Sequence, residues 1–128
     1  MNNIEYYKEW LRYANTDYSV ALFIKNHHPI PIEIICYHCQ QAGEKALKSV
    51  LALHNEKIPK THDLYKLLEL CSSHYPDMIS VFSDQAVRLS DYSTITRYPD
   101  HTNDLIDADM TVALDFAKQI LSYVERLS

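Results

Sequence analysis

Apolar side chains recur along most of this chain at the three- and four-residue steps of a helix that buries one face. Tyr7, Trp10, Leu11, Ala14, Tyr18, Ala21 and Leu22 draw such a stripe on a first helix, from about Ile4 to His27. His28-Pro29-Ile30-Pro31 ends it, because a proline disfavours the α conformation of the residue before it; Pro31 itself suits the first turn of the next helix. That second helix, from about Ile32 to His54, carries Ile35, Cys39, Ala42, Ala46, Val50 and Leu53, flanked by Cys36, Gly43 and Leu47. After the loop from Asn55 to Lys60, Thr61 is placed to cap a third helix with Leu64, Leu67, Leu68 and Cys71 inward. Ser73-His74-Tyr75-Pro76 breaks the chain again, and a fourth helix follows from about Asp77 to Tyr92 with Met78, Phe82, Ala86 and Leu89 inward. The stretch from Ser93 to His101 is β-branched, contains Pro99 and reads as a loop. A last helix from Thr102 or Asn103 to Leu127 has the stripe Leu105, Val112, Phe116, Ile120, Val124 and Leu127. Its acids lead (Asp104, Asp107, Asp109) and Lys118 and Arg126 trail, the order a helix dipole favours. The predicted fold is all-α, an up-and-down bundle of about five helices forming a single domain over residues 1–128.

Composition sharpens this through one number. Glycine occurs once in 128 residues, where average usage predicts roughly nine. Tight hairpins and phosphate-cradling loops need positive φ, which glycine adopts most readily, so sheet architectures, phosphate-loop NTPases and Gly-rich dinucleotide folds are disfavoured. The lone Gly43 falls mid-helix, where it costs about 0.5–1 kcal/mol relative to alanine; close approach of a neighbouring helix is the expected reason. A formal net charge of -5 excludes a bulk-basic nucleic-acid binder and leaves room for a local basic site. Met1-Asn2-Asn3-Ile4-Glu5 lacks the basic-then-apolar pattern of a secretory signal, and no apolar run approaches the ~20 residues of a membrane span. Three cysteines, an odd number, suit reduced thiols. The expected location is the cytoplasm, without membrane association.

Four constellations could carry chemistry. Cys36-Tyr37-His38-Cys39 puts two thiols on neighbouring helix positions, but structural zinc takes four ligands and Cys71 brings no partner, so no metal is expected. In Glu44-Lys45-Ala46-Leu47-Lys48, Glu44 and Lys48 have the spacing of a surface ion pair, while Lys45 or Lys48 could instead border a phosphate cleft. In Pro59-Lys60-Thr61-His62-Asp63-Leu64, His62 falls in the first turn of the third helix, where a histidine tying down the loop is expected over a catalytic one. Arg97-Tyr98-Pro99-Asp100-His101 is the richest stretch. It offers a guanidinium fork for phosphate, a ring for base stacking and an imidazole for proton transfer, just before a helix N-terminus. A purely structural loop, with Arg97 paired to an acid and Asp100 or Asn103 capping, explains the same residues equally well.

Taken together these segments resemble the HEPN (higher eukaryotes and prokaryotes nucleotide-binding) domain family. The resemblance rests on Cys39-Gln40-Gln41-Ala42-Gly43-Glu44-Lys45-Ala46-Leu47-Lys48 leading into Lys60-Thr61-His62-Asp63-Leu64. Trp10, Ala14, Asp17 and Ala21 stand before it and Arg97-Tyr98-Pro99-Asp100 after it. It implies a helical bundle, commonly a homodimer with its cleft near the dimer interface. Many HEPN proteins act with a minimal nucleotidyltransferase in a two-component, often toxin–antitoxin, system. Others are metal-independent endoribonucleases in which an arginine contacts the scissile phosphate and a histidine assists attack by the 2′-hydroxyl, supported by a Glu-x3-Lys pattern that Glu44 and Lys48 match. On that template Arg97 and His101 are the candidate catalytic pair, but only three residues separate them, one fewer than the nuclease pattern, and Pro99 bars a regular helix across them. Arg97, Tyr98 and Asp100 better match the Arg-Tyr-Pro loop of the nucleotidyltransferase-associated branch, whose HEPN member is held to be non-catalytic. The resemblance thus implies a nucleotide- or phosphate-binding site from Arg97, Tyr98, Asp100, Lys45, Lys48 and His62, supported by Glu44 and Asp17, with no cofactor. The alternatives are a ribonuclease toxin using Arg97 and His101, and a non-catalytic helical interaction protein. Ten tyrosines provide amphipathic surface suited to an interface.

Overall fold

A helix that is apolar nearly all round has to lie inside a bundle, and the segment Ile32–Leu53 does: fourteen of its 22 residues are buried. The structure, a computed structural model, describes residues 1–90, 92 and 105–128. Among these it contains five helices and no strand: α1 (Asn3–Ile24), α2 (Ile32–Leu53), α3 (Leu64–Ser72), α4 (Asp77–Ser90) and α5 (Asp107–Glu125). Central α2 packs against each of the other four. Ala14 and Ala21 of α1, fully buried, face the core with Ala42 and Ala46 of α2, and such small side chains let helix backbones approach closely. The all-α bundle expected from the hydrophobic periodicity is therefore the observed architecture.

The helix ends show how few glycines the chain needs. Asn2 caps α1 in a reciprocal box: Glu5 N–H donates to Asn2 Oδ1 at 2.9 Å, and Asn2 N–H donates to Glu5 Oε2 at 3.3 Å. Past the end of α2, Asn55 takes the left-handed conformation (φ 55°). Its N–H reaches Ala52 O at 3.1 Å, and the Glu56 N–H reaches Leu51 O at 2.9 Å. This paired termination usually employs glycine, and asparagine is its common substitute. The lone Gly43 is thereby free for a packing role. A Cβ added there would stand 2.5 Å from Phe116 Cε2 of α5, so the ring edge occupies the space a side chain would fill.

Several sequence expectations are corrected in detail. α1 ends at Ile24 rather than His27, and within its stripe Leu22 is exposed while Trp10 lies outside the hydrophobic core cluster. Pro31 is the N-cap of α2 rather than a residue of its first turn. Asp63, not Thr61, caps α3: its Oδ1 accepts from the N–H groups of Tyr65 at 3.0 Å and Lys66 at 3.2 Å, while Thr61 Oγ1 accepts from Asp63 N–H at 3.1 Å. A carboxylate is a stronger acceptor for a helix's first amides than a hydroxyl. The cap's position leaves His62 in the loop before the helix. α5 starts at Asp107 rather than at Thr102 or Asn103, with Asp109 Oδ2 accepting from Ile106 N–H at 2.9 Å.

Burial of the thiols settles their chemistry. Cys36, Cys39 and Cys71 are all free and buried, and desolvation pushes each thiol up to about 12. Thiolate is the reactive form, so the native protein is expected to react only slowly with a thiol reagent such as DTNB at mildly alkaline pH. All three should react after unfolding in denaturant. A fast-reacting thiol in the native state would contradict the packing. Among the described residues no group of three or more His, Cys, Asp and Glu side chains is arranged to hold a metal ion. No helix among them is long and apolar enough to cross a membrane.

Candidate functional site

The polar residues of α2 are not scattered. His38, Gln41, Lys45 and Lys48 follow helical spacing along one flank, with Glu44 beside them. His38 and Lys45 meet Asp17 of α1, Glu44 meets His62 of the α2–α3 loop and Lys48, and Gln41 bonds its neighbour Gln40.

Glu44 is the centre of the first group. Its side chain is only 5% exposed, and its two oxygens are divided between two partners. Oε2 accepts from Lys48 Nζ at 3.0 Å, and Oε1 lies 2.7 Å from His62 Nδ1. Lys48 is also buried, 9% exposed, with its ammonium 5.8 Å from the centroid of the Trp10 ring on α1. The expectation of a surface ion pair is therefore overturned: α1 and the α2–α3 loop cover it. Removing two charges from water costs several kcal/mol per ion unless they are well paired, and here both are. His62 is held from its other side as well, since Gln40 Nε2 donates to the His62 carbonyl at 3.1 Å and Gln41 Nε2 donates to Gln40 Oε1 at 2.7 Å. The His62 side chain remains 54% exposed. Against an ionised carboxylate the Nδ1 of His62 is the donor, and its Nε2 has no hydrogen-bond partner among the described residues.

Asp17 on α1 organises the second group. Its Oδ2 accepts from Lys45 Nζ at 2.6 Å, and its Oδ1 lies 2.9 Å from His38 Nδ1. Lys45 and Lys48, both expected to be open to a phosphate, thus each have a carboxylate partner within the chain. Asp17 thus joins α1 to α2 through both Lys45 and His38.

The structure brings Glu44, Lys48 and His62 into one network and joins Asp17 to Lys45 one residue further along α2. The remaining expected residues, Arg97, Tyr98, Asp100 and His101, lie outside the described residues, as does the loop from Ser93. His38, Gln40 and Gln41 were not singled out as site residues. Their signal is the polar register of an otherwise apolar helix, in which Gln40 is wholly buried yet fully used.

Two further polar clusters lie away from these. Asp109 accepts from Arg88 at 2.6 Å and from the Tyr92 hydroxyl at 3.1 Å. Burial pushes its carboxyl up, but the Ile106 N–H, Arg88 and Tyr92 outweigh that and hold it below its ordinary value. Near the C-terminus of α2, the His54 and His74 rings stack at 4.0 Å, with His54 Nε2 2.8 Å from the Tyr75 hydroxyl. Burial, and then the neighbouring His74, lower the His54 pKa. Both clusters tie helices together.

No curated protein and no solved structure matches the chain. The model of one family, described as the HEPN domain, matches residues 7–127. That span runs from the first buried residue of α1 to the end of α5 and includes every residue of both ion-pair groups. The chain belongs to the HEPN domain family.

Proposed function

We propose that this HEPN protein is a non-catalytic module that binds nucleotide or RNA phosphate as a homodimer. Its partner is a minimal nucleotidyltransferase, in a two-component, toxin–antitoxin-like system. The observation that carries the reading is the Glu44 network: a buried carboxylate spends both oxygens on holding Lys48 and His62 in fixed positions, and His62 stays half-exposed beside it. Because Lys45 and Lys48 are already paired within the chain, the principal phosphate contact falls to Arg97, whose guanidinium fork matches a phosphate in two places. Tyr98, Asp100 and the half-exposed His62 complete the binding set.

Equilibrium dialysis against a panel of nucleotides and short RNAs is the direct test. Binding is expected, and it should weaken in Arg97→Ala. Incubated with chelator, the RNA should stay intact. Cleavage lost in Arg97→Ala and His101→Ala would replace this reading with the ribonuclease one. No binding to any member of the panel would leave a plain helical interaction protein.

Phe23 of α1 supports the dimer. It is 77% exposed and lines two surface grooves, one with Ile24, Asn26, His27 and Pro31 and the other with Arg12, Thr16, Ser19 and Val20. An exposed aromatic flanked by grooves on both sides suits insertion into a second copy. Phe23→Asp is expected to convert the dimer to a monomer by light scattering with an unchanged melting temperature at low concentration. A dimer that survives the change would place the interface elsewhere.

A further inference from the structure

The outer surface of α1 carries a second feature that the ion-pair network does not explain. Tyr6, Trp10 and Tyr13 share one face, and with Met1 and Glu9 they line a pocket of about 220 Å³. Tyr6 and Tyr13 are 49% and 48% exposed, and none of the three rings belongs to the hydrophobic core cluster. Three aromatic side chains kept at the surface around a concavity contribute little to the core, whereas such rings are the usual platform for a stacked base.

The pocket wall is almost wholly apolar, as the faces that stack on a base require. The Arg12 guanidinium carbon lies 4.6 Å from the Tyr13 ring centroid, so the ring is held in place. Arg12 also donates to both oxygens of Glu9, at 3.2 and 2.5 Å, and this contact keeps the Glu9 carboxyl below its ordinary pKa. Trp10 belongs to both places: it lines the pocket, and its ring is the one beneath which Lys48 sits in the Glu44 network. Whole small-molecule sites occupy about 300–1,000 Å³, so this pocket has room for one ring system and not for a complete nucleotide.

We infer that Tyr6, Trp10 and Tyr13 form a base-stacking subsite for a nucleobase on the outer face of α1. This rests on the nucleotide-binding reading above and specifies which part of the ligand α1 holds. The base stacks on the rings, and the ribose and phosphate lie outside the pocket.

Trp10 is the only tryptophan in the chain, so its emission reports on this pocket and on the Lys48 contact beside it. Adenosine monophosphate and hexaadenylate RNA would be titrated into the intact protein with ribose 5-phosphate as the control, alongside dialysis for total binding. Saturable quenching is expected with a base-bearing ligand and none with ribose 5-phosphate. Quenching by both ligands assigns the subsite to any adenine, and quenching by hexaadenylate alone assigns it to RNA. Tyr13→Ala and Tyr6→Ala, both at exposed positions, should each weaken adenine binding about tenfold while leaving ribose 5-phosphate binding unchanged. If dialysis shows adenosine monophosphate bound while emission and the affinities of both variants are unchanged, the subsite is wrong and the phosphate reading stands. No binding of any of the three ligands removes the nucleotide reading and the subsite with it. Emission that follows protein concentration instead of ligand would make this face an interface between copies and overturn the inference.

Discussion

Glu44→Ala is expected to lower the unfolding free energy by about 3–5 kcal/mol, the range for deleting one partner of a buried ion pair. The substitution strands the Lys48 ammonium, which is 9% exposed, and removes the acceptor for His62 Nδ1. On a domain of this length that corresponds to a fall in melting temperature of about 10–20 °C. Replacing both partners separates the cost of an orphaned charge from the worth of the pair. Glu44→Leu with Lys48→Met should be far closer to the parent protein than Glu44→Ala, because burying two apolar groups in place of two paired charges is often neutral or stabilising. Thermal unfolding of the three proteins checks this. A loss below about 1 kcal/mol in Glu44→Ala would mean that water reaches the pair and that it behaves as a surface ion pair.

Gly43→Leu is expected to be comparably damaging by the opposite mechanism. Even alanine places a Cβ 2.5 Å from Phe116 Cε2, well inside any contact distance. The ring is about 1% exposed and is packed edge-on against Phe82, with centroids 6.1 Å apart, so it has little room to retreat. Alanine would gain about 1 kcal/mol of helix propensity over glycine, and overpacking of about 1–3 kcal/mol outweighs it. Leucine adds three more carbons along the same direction and should cost more than 3 kcal/mol. A double-mutant cycle isolates the cause: in Phe116→Leu the penalty for Gly43→Ala should shrink or change sign, with a coupling of about 0.5–3 kcal/mol. Denaturant titration of the four proteins measures it, and an uncoupled pair would refute the steric account.

Both predictions concern features that local pattern reveals only in part. The apolar stripe of α2 was legible because Ile35, Cys39, Ala42, Ala46, Val50 and Leu53 follow one face, and all but the partly buried Leu53 are buried. Gly43 was legible as a point of close approach, although Phe116 lies too far along the chain for its identity to be read. The Glu44–Lys48 spacing was legible too, but spacing is the same on a surface and in a core. The covering groups, Trp10 and His62, come from α1 and the α2–α3 loop, and only the tertiary fold brings them in. The Asp17–Lys45 pair spans 28 positions and has no local signature. Errors at helix ends had a different origin. Thr61 and Asp63 are both good caps, and the choice turned on which of them reaches the amides of Tyr65 and Lys66. At the α1 stripe, Trp10 shares the period of the core residues while serving the surface beside Lys48, a division that hydrophobicity alone cannot express.

Both α2 lysines are engaged by carboxylates; the proposed reading gives the chief phosphate contact to Arg97, and salt dependence counts such contacts. Each phosphate neutralised on a single strand contributes a slope of about -0.7 in log affinity against log salt. Fluorescence anisotropy of a labelled oligoadenylate, titrated with the parent protein and with Arg97→Ala over a range of salt, therefore tests the nucleotide-binding account most directly. The account predicts binding that weakens with salt, and in Arg97→Ala both a lower affinity and a slope shallower by about 0.7. Equal affinities and equal slopes in the two proteins would contradict it.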